Sequence, residues 1–249
     1  MIFGRNNPFR DTPEVVKNLL IINGIMLLAM IAAENYGVDI ARMLGLHHWS
    51  SESFQPYQMV SYMFLHGGFT HLLFNMFALW MFGRILEQVW GPKRFLIYYM
   101  ITGIGAGLIQ MLVTEIRIQM LISDIDPMLY QTVLKDGLSV LQSGKNYIDP
   151  VAGELNAMIN TSTVGASGAV FGILLAFGML FPNAQLMLLI PPIPIKAKYM
   201  VIGYGVLELY LGLSNNPADN VAHFAHLGGM LFGFILIKMW KSKGNTNFY

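Results

Sequence analysis

A serine and a histidine lie inside two strongly apolar stretches of this 249-residue chain. Ser167 belongs to the sequence Gly165-Ala166-Ser167-Gly168 at the start of one stretch, and His226 opens the other. A hydroxyl and an imidazole are the two groups that nucleophilic peptide hydrolysis requires. Because polar side chains are costly at membrane depth, the pair indicates a functional site.

Glycines accompany both residues at helical spacing. Gly168 and Gly172 are four residues apart, which gives the first helix a face that another helix can approach closely. His226, Gly229 and Gly233 are spaced i, i+3 and i+7 and share one face of the second helix. We therefore expect the serine and the histidine to meet. The alternative for either residue alone is ordinary packing or hydrogen bonding between helices.

A third apolar stretch carries His71 and Asn75, which are stacked on one helix face because they are four residues apart. Both can donate hydrogen bonds, which suits stabilisation of a developing oxyanion, with structural bonding to loop backbone as the alternative. His66 precedes two glycines and is expected to anchor their loop. His223 lies about 60° from the face of His226 by helical phase, which makes it a supporting or interfacial residue.

The six histidines also raise the question of a zinc site. The candidate ligands would be His66, His71, His223 and His226. Their spacing does not match His-Glu-x-x-His, and we expect no carboxylate on those helix faces. Glu208 is the only acid clearly inside an apolar segment, and the sequence leaves its role open. Asp219 lies about 10 Å along the helix from His226, which is too far for the acid of a catalytic triad, so we expect a two-residue Ser–His pair. We also expect no metal and no cofactor.

The composition is that of a membrane protein. Hydrophobic residues make up 55% of the chain and charged residues 12%, whereas soluble domains carry about 25% charged residues. The absence of cysteine excludes disulfides and thiolate catalysis. A net charge of +1 without a basic cluster gives no indication of a nucleic-acid partner.

Six segments are apolar enough to cross a bilayer. They lie at about 17–34, 69–88, 94–114, 164–181, 198–214 and 221–240. The connection 181–195 cannot be one continuous helix because it contains several prolines. The sequence thus predicts an all-α membrane protein with six transmembrane helices.

The loop charges predict the orientation of these segments. If both termini are cytoplasmic, only four of the 15 Lys and Arg residues lie outside: Arg42, Arg117, Lys135 and Lys145. This arrangement satisfies the positive-inside rule. The second, fourth and sixth segments then begin at the outer face, which places the serine, both active-site histidine candidates and Asn75 roughly 5–15 Å below it.

Together these motifs resemble the rhomboid family of intramembrane serine proteases. The matching pieces are His71-x-x-x-Asn75, Gly165-x-Ser167-Gly168, Ala225-His226-x-x-Gly229-x-x-x-Gly233, Gly83-Arg84-x-x-Glu87, Trp90-Gly91 and Arg94-Phe95. The resemblance covers roughly 55–114 and 160–240, in the family's order. It implies a six-helix rhomboid-like bundle and a serine endopeptidase.

The resemblance also implies roles for individual residues. Ser167 would be the nucleophile, and His226 would act as general base and then as general acid. His71, Asn75 and the backbone N–H of Ser167 would form the oxyanion hole. Phe171 would pack against the catalytic imidazole, and the supporting glycines would be Gly165, Gly168, Gly229 and Gly233.

The implied substrates are single-span proteins of the lipid bilayer, cut near the outer interface. Span five or the loop 214–220 would control their access. The implied location is a cell membrane, namely the bacterial cytoplasmic membrane, which the protein would cross several times. The sequence leaves the oligomeric state open. A non-catalytic binder with the same fold and a small transporter are the competing functions. A transporter would call for inverted repeats or a relay of acids, and the sequence contains neither.

Two features depart from the family's pattern. The Trp-Arg pair that some members carry in the first loop is missing from 36–60. The connection 116–163 is long, and 127–141 reads as an amphipathic helix. We expect one membrane domain over 1–249, with this insertion at the outer interface beside the site, where it influences substrate access.

Overall fold

The computed structural model describes residues 12–187, 192–214 and 221–242. Within these residues the chain forms helices and one short hairpin. The helices are α1 Glu14–Glu34, α2 Ile40–Leu44, α3 Gln58–Ser61, α4 Phe69–Ala78, α5 Arg84–Trp90, α6 Pro92–Ile122, α7 Pro127–Gln142, α8 Pro150–Asn160, α9 Ser167–Leu180, α10 Ala197–Ser214 and α11 His223–Ser242. A π-helical turn, Leu79–Gly83, joins α4 to α5 without a break.

Each of the six predicted apolar segments is helical. Four helices in the described part of the chain are long and apolar enough to cross a membrane: Glu14–Glu34, Phe69–Trp90, Pro92–Ile122 and His223–Ser242. α9 is apolar but has only 14 residues, about 21 Å of helix against a hydrocarbon core of about 30 Å. The chain is therefore a helical, multi-pass membrane protein.

The helix boundaries differ from the sequence prediction mainly at α6. This helix continues to Ile122, past the predicted end at 114, because no proline or glycine interrupts the turns that follow. The prediction that 181–195 is not one helix is confirmed. β1, Gln185–Met187, pairs there with the antiparallel β2, Pro194–Lys196.

The beginning of α1 is fixed by a carboxylate from another helix. The N-cap residue of α1 is Pro13, whose side chain accepts no hydrogen bond from the first amides of the helix. Glu87 of α5 instead accepts hydrogen bonds from the backbone N–H groups of Val15 and Val16, at 2.9 and 2.8 Å. An acidic group suits this place because helix N-termini carry partial positive charge.

Small residues bring α6, α9 and α11 together at the centre of the bundle. A Cβ at Gly229 of α11 would collide with the carbonyl oxygen of Gly168 in α9, and one at Gly168 would collide with Ala106 of α6. At Gly233 the space is taken by the Tyr98 hydroxyl, which donates a 2.8 Å hydrogen bond to the carbonyl of Gly172. The predicted glycine faces are therefore real helix contacts.

The long connection folds into two helices. The amphipathic helix predicted at 127–141 is α7, and α8 was not predicted. Together they cover a small apolar core on the extension of α6: Ile118, Ile125, Val133, Ala152, Leu155 and Ile159. Some predicted features lie outside the described residues: Arg5, Arg10, Lys243, the N-terminus of span six at Asp219 and Asn220, and most of the loop 214–220.

Candidate active site

Ser167 lies at the first turn of α9, where the chain turns sharply out of a loop. The preceding Gly165 has φ of +139°, a conformation that favours glycine. Its amide donates to the carbonyl of Tyr62 at 3.0 Å, which holds the loop against the turn before α4. The backbone N–H of Ser167 belongs to the first turn of α9, whose amides have no acceptor inside the helix.

The structure brings Ser167 and His226 into contact. The serine Oγ and the Nε2 of His226 are 2.8 Å apart, a hydrogen-bond distance, and His226 is buried on the second turn of α11. The contact depends on Gly168 and Gly229, because these residues let the two helix backbones approach each other. A hydroxyl bonded to an imidazole nitrogen is the arrangement in which histidine can remove the serine proton.

Phe171 holds the imidazole from one side. Its ring and that of His226 are stacked, with centroids 4.2 Å apart and planes 6° from parallel. Phe171 lies one helical turn after Ser167, so a single helix carries both the hydroxyl and the ring that packs on its partner. This stacking restricts rotation of the imidazole.

His71 lies beside the same loop. A Cβ built on Gly165 would be 3.0 Å from Nε2 of His71 and 3.5 Å from Oγ of Ser167, so both groups border that position. The Nδ1 atom of His71 is 3.3 Å from the backbone N–H of Gly67 and accepts from it. Because a neutral imidazole carries one proton, Nε2 is then an N–H donor on the side of the serine.

Asn75 lies one turn below His71 and is buried. Its amide nitrogen donates to the carbonyl of His71 at 3.1 Å, which uses one of its two N–H groups. His66 faces His71 edge-on, with ring centroids 5.0 Å apart. Burial, with a smaller contribution from His71, lowers the pKa of His66 to about 4, so this loop residue is neutral at physiological pH.

Sequence reasoning missed the contact that Glu208 makes. No carboxylate was expected near these histidines, yet Oε2 of Glu208 in α10 lies 2.8 Å from Nδ1 of His226 and 2.6 Å from Nδ1 of His223. All three residues are buried. The available signal was the presence of an acid in an apolar segment, which marks a functional residue by default. This signal does not identify the partner of the acid, because the partner depends on how α10 packs on α11.

Glu208, His223 and His226 are also a group that could hold a metal ion, with ligand atoms within 4.8 Å of one another. The distances of 2.6 and 2.8 Å between the carboxylate and the imidazoles are those of charge-assisted hydrogen bonds. Ligand atoms around a tetrahedral zinc ion, each about 2.1 Å from it, would be more than about 3 Å apart. The geometry therefore suits hydrogen bonding.

The fold and site define a polytopic helical membrane protein with a serine–histidine contact between two helices. A model of the Rhomboid domain matches residues 53–122 and 128–242. The chain belongs to the rhomboid family, whose members are intramembrane serine proteases. The short interruption in the match falls at the junction between α6 and α7.

Curated relatives agree with this assignment. The chain is 29% identical to RHOMBOID-like protein 5 of Arabidopsis thaliana over 74% of its length and 44% of the relative's. It is 29% identical to the rhomboid protease AarA of Providencia stuartii over 70% of its length and 52% of the relative's. It is 25% identical to the mitochondrial Rhomboid protein 1 of Saccharomyces cerevisiae over 69% and 38%. In these comparisons, the chain spans about half or less of the relative's length.

Proposed function

We propose that this chain is an intramembrane serine endopeptidase that cleaves transmembrane segments of membrane proteins near the outer interface. The observation that carries the proposal is the 2.8 Å contact between Oγ of Ser167 and Nε2 of His226. These two groups come from different helices and meet at helix N-termini among apolar residues. Family membership supports the same reaction.

In the proposed reaction, Ser167 Oγ attacks the carbonyl carbon of the scissile amide while its proton passes to Nε2 of His226. The C–N bond then breaks, and the imidazolium gives this proton to the leaving amine. A water molecule, deprotonated by the same nitrogen, hydrolyses the acyl-enzyme and restores the serine. His226 can do both steps because its ring is held by stacking on Phe171.

The tetrahedral intermediate carries negative charge on the former carbonyl oxygen. The proposed donors to this oxyanion are the Nε2–H of His71, the free amide N–H of Asn75 and the backbone N–H of Ser167. The N-terminus of α9 adds its partial positive charge. Donors that are in place before the reaction need no reorganisation as the charge forms.

The proposed substrates are single-span membrane proteins. A transmembrane helix hides its amide bonds, so the cleaved segment must unwind locally, which is costly in lipid. Substrates with small or helix-breaking residues near the outer interface are therefore favoured. The proposed gate is span five, which is α10, or the loop 214–220. The domain is proposed to be one unit over 1–249, with 116–163 as an insertion.

The proposed topology has six transmembrane helices with both termini in the cytoplasm, in a bacterial cytoplasmic membrane. The chain contains no cysteine, so single cysteines can report on sidedness without a background signal. Lys145→Cys and Lys93→Cys both lie at exposed positions. In sealed right-side-out vesicles, an impermeant maleimide should label the first variant and not the second. The reverse pattern would invert the topology.

The activity is tested by incubating purified protein in liposomes with a panel of single-span substrates and mapping the products by mass spectrometry. Ser167→Ala and His226→Ala should each abolish cleavage while the protein stays folded and inserted. Ser139→Ala, at an exposed serine of α7, is the matched control and should cleave normally. Retained cleavage by Ser167→Ala would refute the nucleophile assignment.

A further inference from the structure

Glu208 lies in the middle of α10, a helix that is otherwise almost entirely apolar. The carboxylate is buried, with 7% of the residue exposed. A buried charge is costly unless it is paired and hydrogen-bonded, so this position calls for specific partners. The structure provides two of them, both on α11.

The two partners share one oxygen atom. Oε2 of Glu208 is 2.8 Å from Nδ1 of His226 and 2.6 Å from Nδ1 of His223. An ionised carboxylate can only accept hydrogen bonds, so each imidazole donates from Nδ1. In a neutral His226 the Nδ1 atom then carries the only ring proton. The opposite nitrogen, Nε2, therefore presents its lone pair to the Ser167 hydroxyl 2.8 Å away.

We propose that Glu208 is a positioning residue that fixes His226 in the base-competent tautomer and completes a Ser167–His226–Glu208 triad. This inference rests on the proposed function. When His226 takes the serine proton it becomes an imidazolium, and the adjacent carboxylate stabilises that charge. Glu208 itself gains no proton: the proton travels from Ser167 to Nε2 of His226 and then to the leaving amine.

His223 has a subordinate part in this arrangement. It lies one turn before His226 on α11, and its ring stands edge-on to that of His226, with centroids 6.2 Å apart. Its hydrogen bond occupies the same carboxylate oxygen and thereby fixes where that oxygen lies. Three constraints thus act on His226: the stacked Phe171, the carboxylate and the serine.

The test compares Glu208→Gln and Glu208→Asp with Glu154→Gln, an exposed acid of α8 that serves as the matched control. Gln has nearly the same shape but no charge, whereas Asp keeps the charge on a shorter side chain. In soluble serine proteases, loss of the corresponding carboxylate lowers kcat by about 10⁴. We expect Glu208→Gln to lower kcat by about 10²- to 10⁴-fold with little change in KM. Glu208→Asp should recover part of this loss.

A residue that only supported the fold would give a different result: less folded protein, with normal kcat in what remained. The rate of active-site labelling by a fluorophosphonate should fall in parallel with kcat. If Glu208→Gln keeps kcat within about twofold of Glu154→Gln while Ser167→Ala is inactive, the positioning role fails and the proposed function stands. If Ser167→Ala still cleaves, the proposed function itself fails.

Two further measurements read out the wild-type protein, and a variant serves only to assign one signal. With ¹⁵N-labelled histidine, and His226→Gln used to assign the signal, NMR should show His226 protonated at Nδ1. Protonation at Nε2 would overturn the proposal. Cleavage should also be unchanged by a strong chelator. Loss of activity that added zinc restores would identify the three residues as metal ligands and overturn the proposal as well.

Discussion

Two clusters of hydrogen-bonded polar side chains lie in this apolar molecule, and they differ in chemistry. The site cluster consists of Ser167, His226, Glu208 and His223. The amide cluster joins the first loop to the insertion and is a chain of hydrogen bonds 2.9 to 3.0 Å long. It runs from Ser51 to Asn160, then to Asn156, Asn146 and the carbonyl of Gly153.

A network of hydrogen-bonded polar side chains alone therefore does not mark a reactive site. Each side-chain amide of the second cluster donates one hydrogen bond and accepts at least one. An amide holds its protons at neutral pH. Such a network stabilises packing and has no proton to transfer. The site cluster joins a hydroxyl to an imidazole nitrogen, so the serine proton can move to His226. This contrast predicts that substitutions in the first cluster remove activity and those in the second remove stability.

Among the substitutions that test this contrast, the largest effect should come from separating α9 and α11 without touching a polar group. In Gly229→Ala, the new Cβ collides with the carbonyl of Gly168 and moves His226 away from Ser167. We expect cleavage to fall more than about 100-fold, because an error of about 1 Å in position can cost that much. Gly203→Ala is the control, because nothing lies within 4 Å of its Cβ. Normal cleavage by Gly229→Ala would contradict the packing argument.

The next effect concerns the proposed oxyanion donors. His71→Ala and Asn75→Ala should each lower kcat by about 10²- to 10³-fold with little change in KM, because each removes a donor used in the transition state. Steady-state kinetics on one substrate measures this. Asn35→Ala removes an amide that bonds the carbonyl four residues earlier, as Asn75 also does, but outside the site. An equal loss of kcat in that control would show that the effect comes from a lost hydrogen bond within a helix and not from a lost oxyanion donor.

The amide cluster should respond in the opposite way. Asn156 is fully buried and takes part in two side-chain hydrogen bonds, so Asn156→Ala leaves its partners unsatisfied. We expect a loss of about 1–3 kcal/mol in the free energy of unfolding. At temperatures where the protein is folded, kcat should be unchanged. Denaturation in detergent and cleavage assays together test this, and a fall in kcat of the folded protein would link the insertion to catalysis.

The smallest effect is expected at the end of the amide cluster. Ser51→Ala removes the 2.9 Å hydrogen bond to Asn160 and the 3.3 Å hydrogen bond that the Ser51 hydroxyl accepts from the backbone N–H of Ser53. The expected cost is about 1 kcal/mol, since one side-chain partner is lost at the edge of the network. The same denaturation experiment measures it. A loss larger than that of Asn156→Ala would show that the first loop, rather than α8, holds the insertion in place.

The sequence predicts much of this fold because apolar length and glycine spacing are local signals. Six apolar segments, the amphipathic α7 and the glycine faces around Ser167 and His226 could be found from residue types and spacing. The helix α8 was missed because it is only 11 residues long and its apolar side chains pack on a core formed with α6 and α7. The π-helical turn at Leu79–Gly83 has no comparable sequence signal.

The candidate site likewise contains residues that local sequence signals predict and one contact that they do not. Ser167, His226, His71 and Asn75 could be predicted as candidates because each lies near the start of an apolar helix with a recognisable spacing. The contact of Glu208 with His226 joins α10 to α11, and its geometry is set by packing between helices that the sequence does not encode locally. An acid in a span indicates a partner, but the partner is identified only in three dimensions.

The proposed activity depends on Ser167 as a nucleophile that is activated by His226. The most direct measurement is reaction of the membrane-embedded protein with a fluorophosphonate, followed by mass spectrometry of the labelled peptide. A single adduct should form on Ser167 and should disappear in His226→Ala although that variant stays folded. An adduct on another residue, or labelling of Ser167 at the wild-type rate without His226, would contradict this assignment.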